Sequence, residues 1–242
     1  MISASTPSDC FAAVYEAVRI AVTHMTPVIF LSDGYIANGA EPWKFPAAAD
    51  LPAIEVKFKT SLAEGEEKFL PYKRDEKLAR PWAIPGTAGL EHRIGGIEKQ
   101  HETGNVSYDP ENHEFMVKMR QAKVDKIADY IPLQTIDSGA ANGKVLVLGW
   151  GSTYGTIKSA VLQLQSQGKS VSHAHIKYMR PFPKNLGEIL AGFETILIPE
   201  INNGQLIKII RDQYLVDAKA YNKIMGIPIT KQELITAIES YL

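Results

Sequence analysis

The stretch VLVLGWGSTYG, residues 145–155, decides the fold, because an unbroken apolar run leads into a glycine turn and then into a helical pattern. Strands that are covered on both faces, as in a parallel sheet, have such unbroken apolar runs. Helical spacing follows over 152–167, and a second apolar strand is predicted at 171–176. The pattern therefore predicts a strand–helix–strand unit with two parallel strands.

The same alternation continues to the end of the chain. The further elements are predicted in the order helix, strand, helix, strand and helix, at 186–191, 195–198, 203–214, 216–221 and from 230 onward. Thr230-x-x-Glu233 is a capping-box pattern and opens the last helix. Repeated units of this kind indicate an open, mostly parallel α/β sheet with helices on both faces. The strand at 216–221 has apolar Val216, Ala218 and Ala220 on one face only, so we expect it at an edge.

The first residues predict a smaller unit of the same type. A short strand at 2–5 precedes a helix whose start is marked by Thr6-Pro7-Ser8-Asp9, with a cap, a proline and an early acid. Thr26-Pro27 ends this helix before a second apolar strand at 28–31. A buried strand with a single short neighbour is incomplete. We therefore expect residues 1–35 to be part of a larger α/β domain.

Residues 36–142 lack a sustained periodicity and read as a long irregular linker. Ile54 to Phe58 alternate like a half-exposed strand, and Asp109-Pro110 caps a helix near 109–130 whose apolar stripe includes Phe115 and Met119. Long irregular segments are uncommon unless they are functional or connect domains. We expect the glycine-rich part of this segment to lie at a domain or subunit boundary, and the contact candidates there are Gly86, Thr87, Gly89, Glu91 and His92.

Composition narrows the possible functions. Cys10 is the single cysteine, which excludes an intrachain disulfide, a thiolate zinc site and an iron–sulfur cluster held by this chain alone. We expect Cys10 to be a small core residue of the first helix. The net charge of −1 provides no field for nucleic acid or for a membrane surface. The first ten residues lack a signal-peptide pattern, so we expect a cytoplasmic protein.

The turn after residue 148 raises the question of nucleotide binding. Its spacing is G-x-G-x-x-x-G rather than the dinucleotide fingerprint G-x-G-x-x-G, and no acid closes the strand at 171–176. A tight structural turn is the favoured interpretation, with a small-molecule or nucleotide site left open as the alternative. The residues that could contact a ligand or a partner in this turn are Gly151, Ser152 and Thr153.

No group of residues predicts a catalytic or metal centre in this chain. His173 and His175 share one face of a strand, and we expect them to be packed or surface side chains rather than ligands. The pairs Glu91/His92 and His101/Glu102 leave a metal site open as an alternative. Asp33, at a strand end, is interpreted as a turn or helix-start residue rather than as a magnesium ligand of a thiamine diphosphate site.

Several long blocks resemble one known family. They are ASTPSDCFAAVYEAVRIA (4–21), TPVIFLSDGYIANGAEPW (26–43), PGTAGLEHRIGGIEKQ (85–100), GNVSYDPENHEFMVKMRQAKVDKI (104–127), LGWGSTYGTIKSAV (148–161), MRPFP (179–183) and PEINNGQL (199–206). In this order they resemble the alpha subunits of 2-oxoacid:ferredoxin oxidoreductases, and most of all those of the 2-oxoglutarate enzymes. The resemblance covers nearly the whole chain.

The resemblance implies a domain plan and a division of labour. Residues 1–35 would be the end of the domain that binds the thiamine pyrimidine, and 143–242 a transketolase-C-terminal-like domain. The complete enzyme would use thiamine diphosphate, Mg²⁺ and iron–sulfur clusters to decarboxylate a 2-oxoacid, pass electrons to ferredoxin and transfer the acyl group to coenzyme A.

The activating glutamate and the substrate-binding residues of this family have no counterpart here, and the magnesium diphosphate site would belong to the beta subunit. The resemblance therefore implies a chain that is inactive alone and has a structural and subunit-interface role. The alternative is a free-standing α/β protein that binds a small molecule or nucleotide at the turn of Gly149–Gly155.

Overall fold

Six strands and seven α-helices follow one another along the chain in the computed structural model, which describes all 242 residues. The strands are β1 (Ile2–Ser3), β2 (Phe30–Leu31), β3 (Gly143–Trp150), β4 (Val171–Ile176), β5 (Phe193–Glu200) and β6 (Lys219–Asn222). The helices are α1 (Asp9–His24), α2 (Gly34–Asn38), α3 (Pro110–Lys126), α4 (Tyr154–Ser166), α5 (Leu186–Ala191), α6 (Gln205–Tyr214) and α7 (Lys231–Glu239). From β3 onward strands and helices alternate, as the periodicity predicts.

Strands β3 to β6 form a four-stranded sheet in the order β4-β3-β5-β6, and every neighbouring pair is parallel. Residue 145 of β3 pairs with Val171 of β4 and with Thr195 of β5, so β3 is central. β6 pairs with β5 alone and is an edge strand. The predicted open, mostly parallel α/β sheet and its edge strand are confirmed.

Successive residues of β3 point to opposite faces of the sheet, and each face has its own core. Leu146 and Leu148 belong to the core beneath α5 and α6, with Leu190, Leu206 and Ile210. Val145 and Val147 belong to the core beneath α4 and α7, with Ile157, Leu164, Leu234 and Ile238. Burial of these side chains on both faces explains why the β3 sequence is apolar without interruption.

Met1–Val14, Ile29–Lys44 and Ile131–Leu242 form one compact unit. Within it β1 and β2 form a separate two-stranded parallel sheet, with Ile2 opposite Phe30. Ile2 also makes an antiparallel bridge to Tyr178, and Asp9 pairs with Lys177 at 2.6 Å. These contacts attach the first strands to the chain that follows β4.

Residues 15–28 and 45–130 form the second compact unit. Its longest element is α3, which Asp109 caps by accepting a hydrogen bond from the backbone N–H of Glu111. From 51 to 109 the backbone is connected by turns and isolated bridges, such as Phe58 to Trp82 and Tyr72 to Glu102. The predicted strand at 54–58 is wrong, because only Phe58 finds an extended partner.

Helix α3 buries a different side chain from those that the sequence predicts, and α1 leaves two apolar side chains largely exposed. In α1 the buried residues are Ala13, Ala17, Ile20 and His24, whereas Val14 and Val18 are 45% and 47% exposed. In α3 Met116 is buried and Phe115 is exposed. Cys10 is half-buried rather than a core residue, and its thiol contacts the carbonyl oxygen of Thr6. Periodicity identifies these helices, but apolar residues on more than one side leave the buried face undetermined.

Candidate functional site

The order of the strands creates a crevice at the carboxyl ends of β3 and β5. The chain leaves β3 to form β4 on one side and later returns to form β5 on the other side. In open α/β sheets the connections then diverge in opposite directions, and ligands bind in the gap that they leave. We call this region the switch-point crevice and define it by Asp33, Trp150, Ser152, Thr153 and Ile201.

Two open cavities share the switch-point crevice. The larger has a volume of about 450 Å³ and extends to the loop of Ile227, Pro228 and Ile229. The smaller has a volume of about 290 Å³ and extends to Ser3, Leu31 and Gln205. Asp33, Ser152 and Thr153 line both cavities. The crevice thus combines an apolar outer part with polar groups at its base, which is the usual character of a ligand or partner site.

Glu200 closes β5 at the base of the crevice and is 1% exposed. Its carboxylate accepts hydrogen bonds from the indole N–H of Trp150 at 3.2 Å and from the amide of Asn202 at 3.1 Å. It also accepts two bonds from the first turn of α6, from the backbone N–H groups of Leu206 at 2.9 Å and Ile207 at 3.2 Å. A carboxylate at a helix N-terminus is stabilised by these otherwise unpaired donors and by the helix dipole.

The turn after β3 requires both of its first glycines. A Cβ atom at Gly149 would lie 2.4 Å from Cδ1 of Ile157 and 2.8 Å from Nδ1 of His175, so a larger residue has no room there. Gly151 has φ of +61°, a left-handed conformation that favours glycine. Residues Gly151–Thr153 form a single 3₁₀ turn before α4, and the hydroxyl of Thr153 donates to the carbonyl oxygen of Trp150 at 2.7 Å.

His173 and His175 of β4 support this turn. Nε2 of His175 lies 3.1 Å from the carbonyl oxygen of Gly151, and Nδ1 of His175 lies 3.4 Å from Nε2 of His173. Because a carbonyl oxygen only accepts, His175 must carry its proton on Nε2, and His173 must then donate from its own Nε2. This leaves Nδ1 of His173 as a buried acceptor without a partner. Of the two expected environments, packed and surface, the structure shows the packed one.

Burial keeps both imidazoles neutral. It lowers the pKa of His175 to about 4, although the hydrogen bond to Gly151 and the charge of Asp9 oppose the change. Burial, followed by the nearby His175 and Lys158, lowers the pKa of His173 to about 3. The two rings lie edge to face with centroids 5.5 Å apart. No group of three or more His, Cys, Asp or Glu side chains is arranged to hold a metal ion.

Asp33 is the N-cap of α2, as its position at a strand end predicts. Its Oδ1 accepts hydrogen bonds from the backbone N–H groups of Tyr35 and Ile36, each at 3.0 Å. Its Oδ2 faces Gly151, lying 3.9 Å from the position that a Cβ atom would occupy there. Asp33 therefore joins the sequence-predicted Gly151, Ser152 and Thr153 in the switch-point crevice.

The other predicted contact residues lie in the second unit. Gly86 and Gly89 have φ of +89° and +79°, and Thr87 donates its hydroxyl to the carbonyl oxygen of Ile84 at 2.8 Å. Glu91 is exposed. His92 places Nδ1 2.8 Å from the carbonyl oxygen of Leu90 and packs edge to face on Phe69. Two successive turns thus present Glu91 on the surface of this unit.

Sequence reasoning missed Glu200, although a signal was present. An acid that ends an apolar strand just before Asn202, Asn203 and Gly204 is placed to cap the helix that follows. It also missed a group of cations in the second unit, whose members Arg74, Arg80 and Lys123 are distant in the sequence and form no charge run.

Comparisons with known proteins agree on one family. The family model described as pyruvate:ferredoxin oxidoreductase core domain II matches residues 143–234. The model described as the thiamine diphosphate-binding domain of pyruvate flavodoxin/ferredoxin oxidoreductase matches residues 1–110. No helix in the structure combines the length and the apolar character that a membrane span requires.

Individual relatives match over nearly the whole chain. The 2-oxoglutarate oxidoreductase subunit KorA of Mycobacterium tuberculosis is 46% identical over 97% of this chain and 35% of its own length. The alpha subunit of 2-oxoacid:ferredoxin oxidoreductase 1 of Aeropyrum pernix is 27% identical over 98% of this chain and 38% of its own. The chain therefore spans little more than a third of the length of these relatives.

A solved structure shares the fold. The 2-oxoglutarate:ferredoxin oxidoreductase of Magnetococcus marinus, determined with 2-oxoglutarate, coenzyme A and succinyl-CoA bound, superposes with a TM-score of 0.87 at 26% identity. The match covers 99% of this chain and 41% of that one. None of these relatives supports the alternative of a free-standing nucleotide-binding protein built on the turn of Gly149–Gly155.

Proposed function

Because the chain belongs to the family of 2-oxoacid:ferredoxin oxidoreductase alpha subunits, we propose that it acts as the C-terminal part of such a subunit in a 2-oxoglutarate enzyme. The assembled enzyme would decarboxylate 2-oxoglutarate oxidatively, pass the electrons to ferredoxin and release the acyl group on coenzyme A. The observation that carries this proposal is the match over 97% of the chain to a 2-oxoglutarate oxidoreductase subunit.

The proposal assigns a role to each part of the chain. Residues 1–35 would be the end of the thiamine-pyrimidine domain, 36–142 the connecting segment and 143–242 the transketolase-C-terminal-like domain. The family match over 1–110 includes the first part and extends into the connecting segment, and the match over 143–234 supports the last assignment. Apolar side chains are packed on both faces of β3, which suits residues 143–242 to a structural role.

The residues present do not fit a thiamine diphosphate–magnesium site. Asp33 is the carboxylate best placed by its sequence for such a metal, but its Oδ1 already caps α2. No other acidic or histidine side chains join it in a ligand set. We therefore place thiamine diphosphate, Mg²⁺ and the iron–sulfur clusters elsewhere in the assembled complex and derive no catalytic step through them. The single Cys10 agrees with this, because a cluster takes about four cysteines.

This chain would then contribute contacts to a beta subunit. The candidates are the exposed turn around Gly86, Thr87, Gly89, Glu91 and His92, and the crevice residues Gly151, Ser152 and Thr153. Glu91 makes no ion pair within the chain, so its charge is available to a partner. A charge that is exposed in the free chain costs binding energy when an interface buries it without a partner. Reversing the sign of such a charge costs more binding energy.

The test is assembly with the beta subunit of the same enzyme. We expect the tagged chain, produced with the remainder of the alpha subunit, to co-purify with the beta subunit and to support 2-oxoglutarate- and coenzyme A-dependent reduction of a viologen dye. Glu91→Lys should weaken co-purification, whereas Glu64→Lys, a matched reversal of another exposed acid, should leave it unchanged.

Three results would contradict the proposal. One is decarboxylation of 2-oxoglutarate by this chain alone, and another is a thermal shift of this chain on addition of thiamine diphosphate and Mg²⁺. Failure of the beta subunit to co-purify with the wild-type protein would also exclude the proposed role.

A further inference from the structure

Two arginine side chains lie against the ring of Tyr72 in the second unit, and a lysine lies near both of them. The guanidinium carbon of Arg80 lies 4.5 Å from the centroid of the Tyr72 ring, and that of Arg74 lies 5.6 Å from it. Lys123, from α3, is close enough to both guanidinium groups for their charges to lower its pKa. We call Arg74, Arg80 and Lys123 the cation cluster. All three side chains are half-buried.

None of the three cations is paired with a carboxylate. Arg74 directs two of its nitrogens at the thioether sulfur of Met116, at 3.8 and 3.9 Å, which is a weak acceptor. Arg80 donates to the carbonyl oxygen of Pro71 at 3.2 Å, and Lys123 donates to the carbonyl oxygen of Met25 at 2.8 Å. Most N–H donors of the cation cluster therefore have no acceptor within the chain.

Nearby positive charges destabilise the charged forms of Arg74 and Lys123. Burial and then the charges of Arg80 and Arg120 lower the pKa of Arg74, against an opposing effect of Tyr72. Burial and then Arg74 and Arg80 lower the pKa of Lys123. Asp75, the acid next to Arg74 in the sequence, accepts with Oδ1 from the backbone N–H groups of Lys77 and Ala79 and forms no ion pair with the cation cluster. Half-buried like charges without a counter-charge are unfavourable unless an anion binds among them.

We propose that the cation cluster binds a phosphate-type dianion. Two guanidinium groups present planar sets of donors that match the oxygens of a phosphate, and an ammonium group adds a point charge. Three positive charges exceed what one carboxylate neutralises, so a doubly charged group is the better match. This inference is independent of the proposed oxidoreductase function, because it rests on side chains of the second unit alone.

The phosphate could be a free ion or part of a diphosphate-containing ligand. Isothermal titration calorimetry of the full chain with inorganic phosphate and with pyrophosphate distinguishes these sources, at constant ionic strength set with sodium chloride. Tighter binding of pyrophosphate assigns the cluster to a diphosphate group, and equal or weaker binding assigns it to a single phosphate.

Substitutions connect binding to the cluster. A hydrogen bond to a charged group contributes roughly 1.5–3 kcal/mol, so Arg80→Gln should weaken binding about tenfold or more. Lys123→Gln leaves both arginines in place and should also weaken phosphate binding. It provides a second test in case Arg80→Gln impairs folding. Arg80→Lys keeps the charge without the planar donors and should retain part of the affinity. Lys208→Gln removes an exposed cation of α6 and should leave binding unchanged.

The proposal is overturned if phosphate and pyrophosphate give no more heat than chloride at the same ionic strength. It is also overturned if Arg80→Gln and Lys123→Gln bind as well as the wild-type chain, since binding would then occur elsewhere. Binding of a glutamate-rich peptide without binding of phosphate would contradict it as well, and would assign the cluster to an acidic protein partner.

Discussion

The indole N–H of Trp150 donates to the carboxylate of Glu200 across 3.2 Å, joining the carboxyl ends of β3 and β5. These two strands flank the switch point of the sheet, where the backbone connections diverge. Glu200 also accepts from two N–H groups of α6, so one buried carboxylate fixes both strand ends and the following helix. The base of the crevice is therefore rigidly built, whatever group occupies its outer part.

Replacement of Glu200 should destabilise the chain. In Glu200→Gln the amide nitrogen cannot accept, so at least one N–H of α6 loses its acceptor, which we expect to cost about 1–3 kcal/mol. Glu239→Gln changes an exposed acid in α7 and should have little effect. Urea unfolding at pH 7 measures both. Equal midpoints for wild type and Glu200→Gln would show that these four hydrogen bonds do not stabilise the fold.

The glycines of the turn should differ sharply in their tolerance of alanine. Gly149→Ala would place a methyl group 2.4 Å from Cδ1 of Ile157, and such overpacking costs about 1–3 kcal/mol. Gly155, in the first turn of α4, has no atom within 4 Å of an added Cβ, so Gly155→Ala should raise stability by about 0.5 kcal/mol. Melting temperatures of the two variants should therefore move in opposite directions, and a loss of stability in both would contradict this account of the turn.

Stability should fall as the pH falls below the pKa of about 6.5 that an unfolded histidine has. In the folded state burial lowers the pKa of His173 to about 3 and that of His175 to about 4. The unfolded chain therefore binds protons first, and each site lowers the free energy of unfolding with a slope approaching about 1.4 kcal/mol per pH unit. Above pH 7 neither histidine contributes a pH dependence.

This dependence can be assigned by substitution. We expect His173→Asn to reduce the slope of unfolding free energy against pH, between pH 6.5 and 5, by up to one proton equivalent. The slope is independent of any constant loss of stability from the substitution itself. An unchanged slope would mean that His173 binds a proton in the folded state over this range.

The regular part of the fold follows from local sequence patterns. The apolar runs of β3 and β4 and the capping box of Thr230 and Glu233 are found where they are predicted, because burial on two faces and helix capping each leave a local signature. The face that α1 buries is a tertiary property. Its side chains Ala13 and Val14 are both apolar, and only the neighbours of the helix decide which one is buried.

In the candidate site, too, some residues can be predicted from local sequence and others cannot. Gly151 is predicted because a glycine turn after a strand is a local motif, and its positive φ agrees. Two other features depend on long-range contacts. One is Glu200, which accepts a hydrogen bond from Trp150, fifty residues earlier in the chain. The other is the cation cluster of Arg74, Arg80 and Lys123. Spacing along the sequence contains no information on which side chains the turns of residues 51–109 bring together.

The two sheets of the first unit differ in how many neighbours hold their strands. β2 has only two residues, is paired with β1 alone and has half-buried side chains, whereas β3 lies between β4 and β5 and its residues 145–148 are fully buried. An amide exchanges through the least costly local opening, and a two-residue pairing provides little resistance to opening. We therefore expect amides of 28–31 to exchange on the order of 10³-fold faster than those of 145–148 in the isolated chain. Hydrogen exchange read by NMR gives both rates in one experiment. Equally slow exchange at both sites would show that the first strands are as firmly held as the central sheet, and the interpretation of residues 1–35 as part of a larger α/β domain would then have to be abandoned.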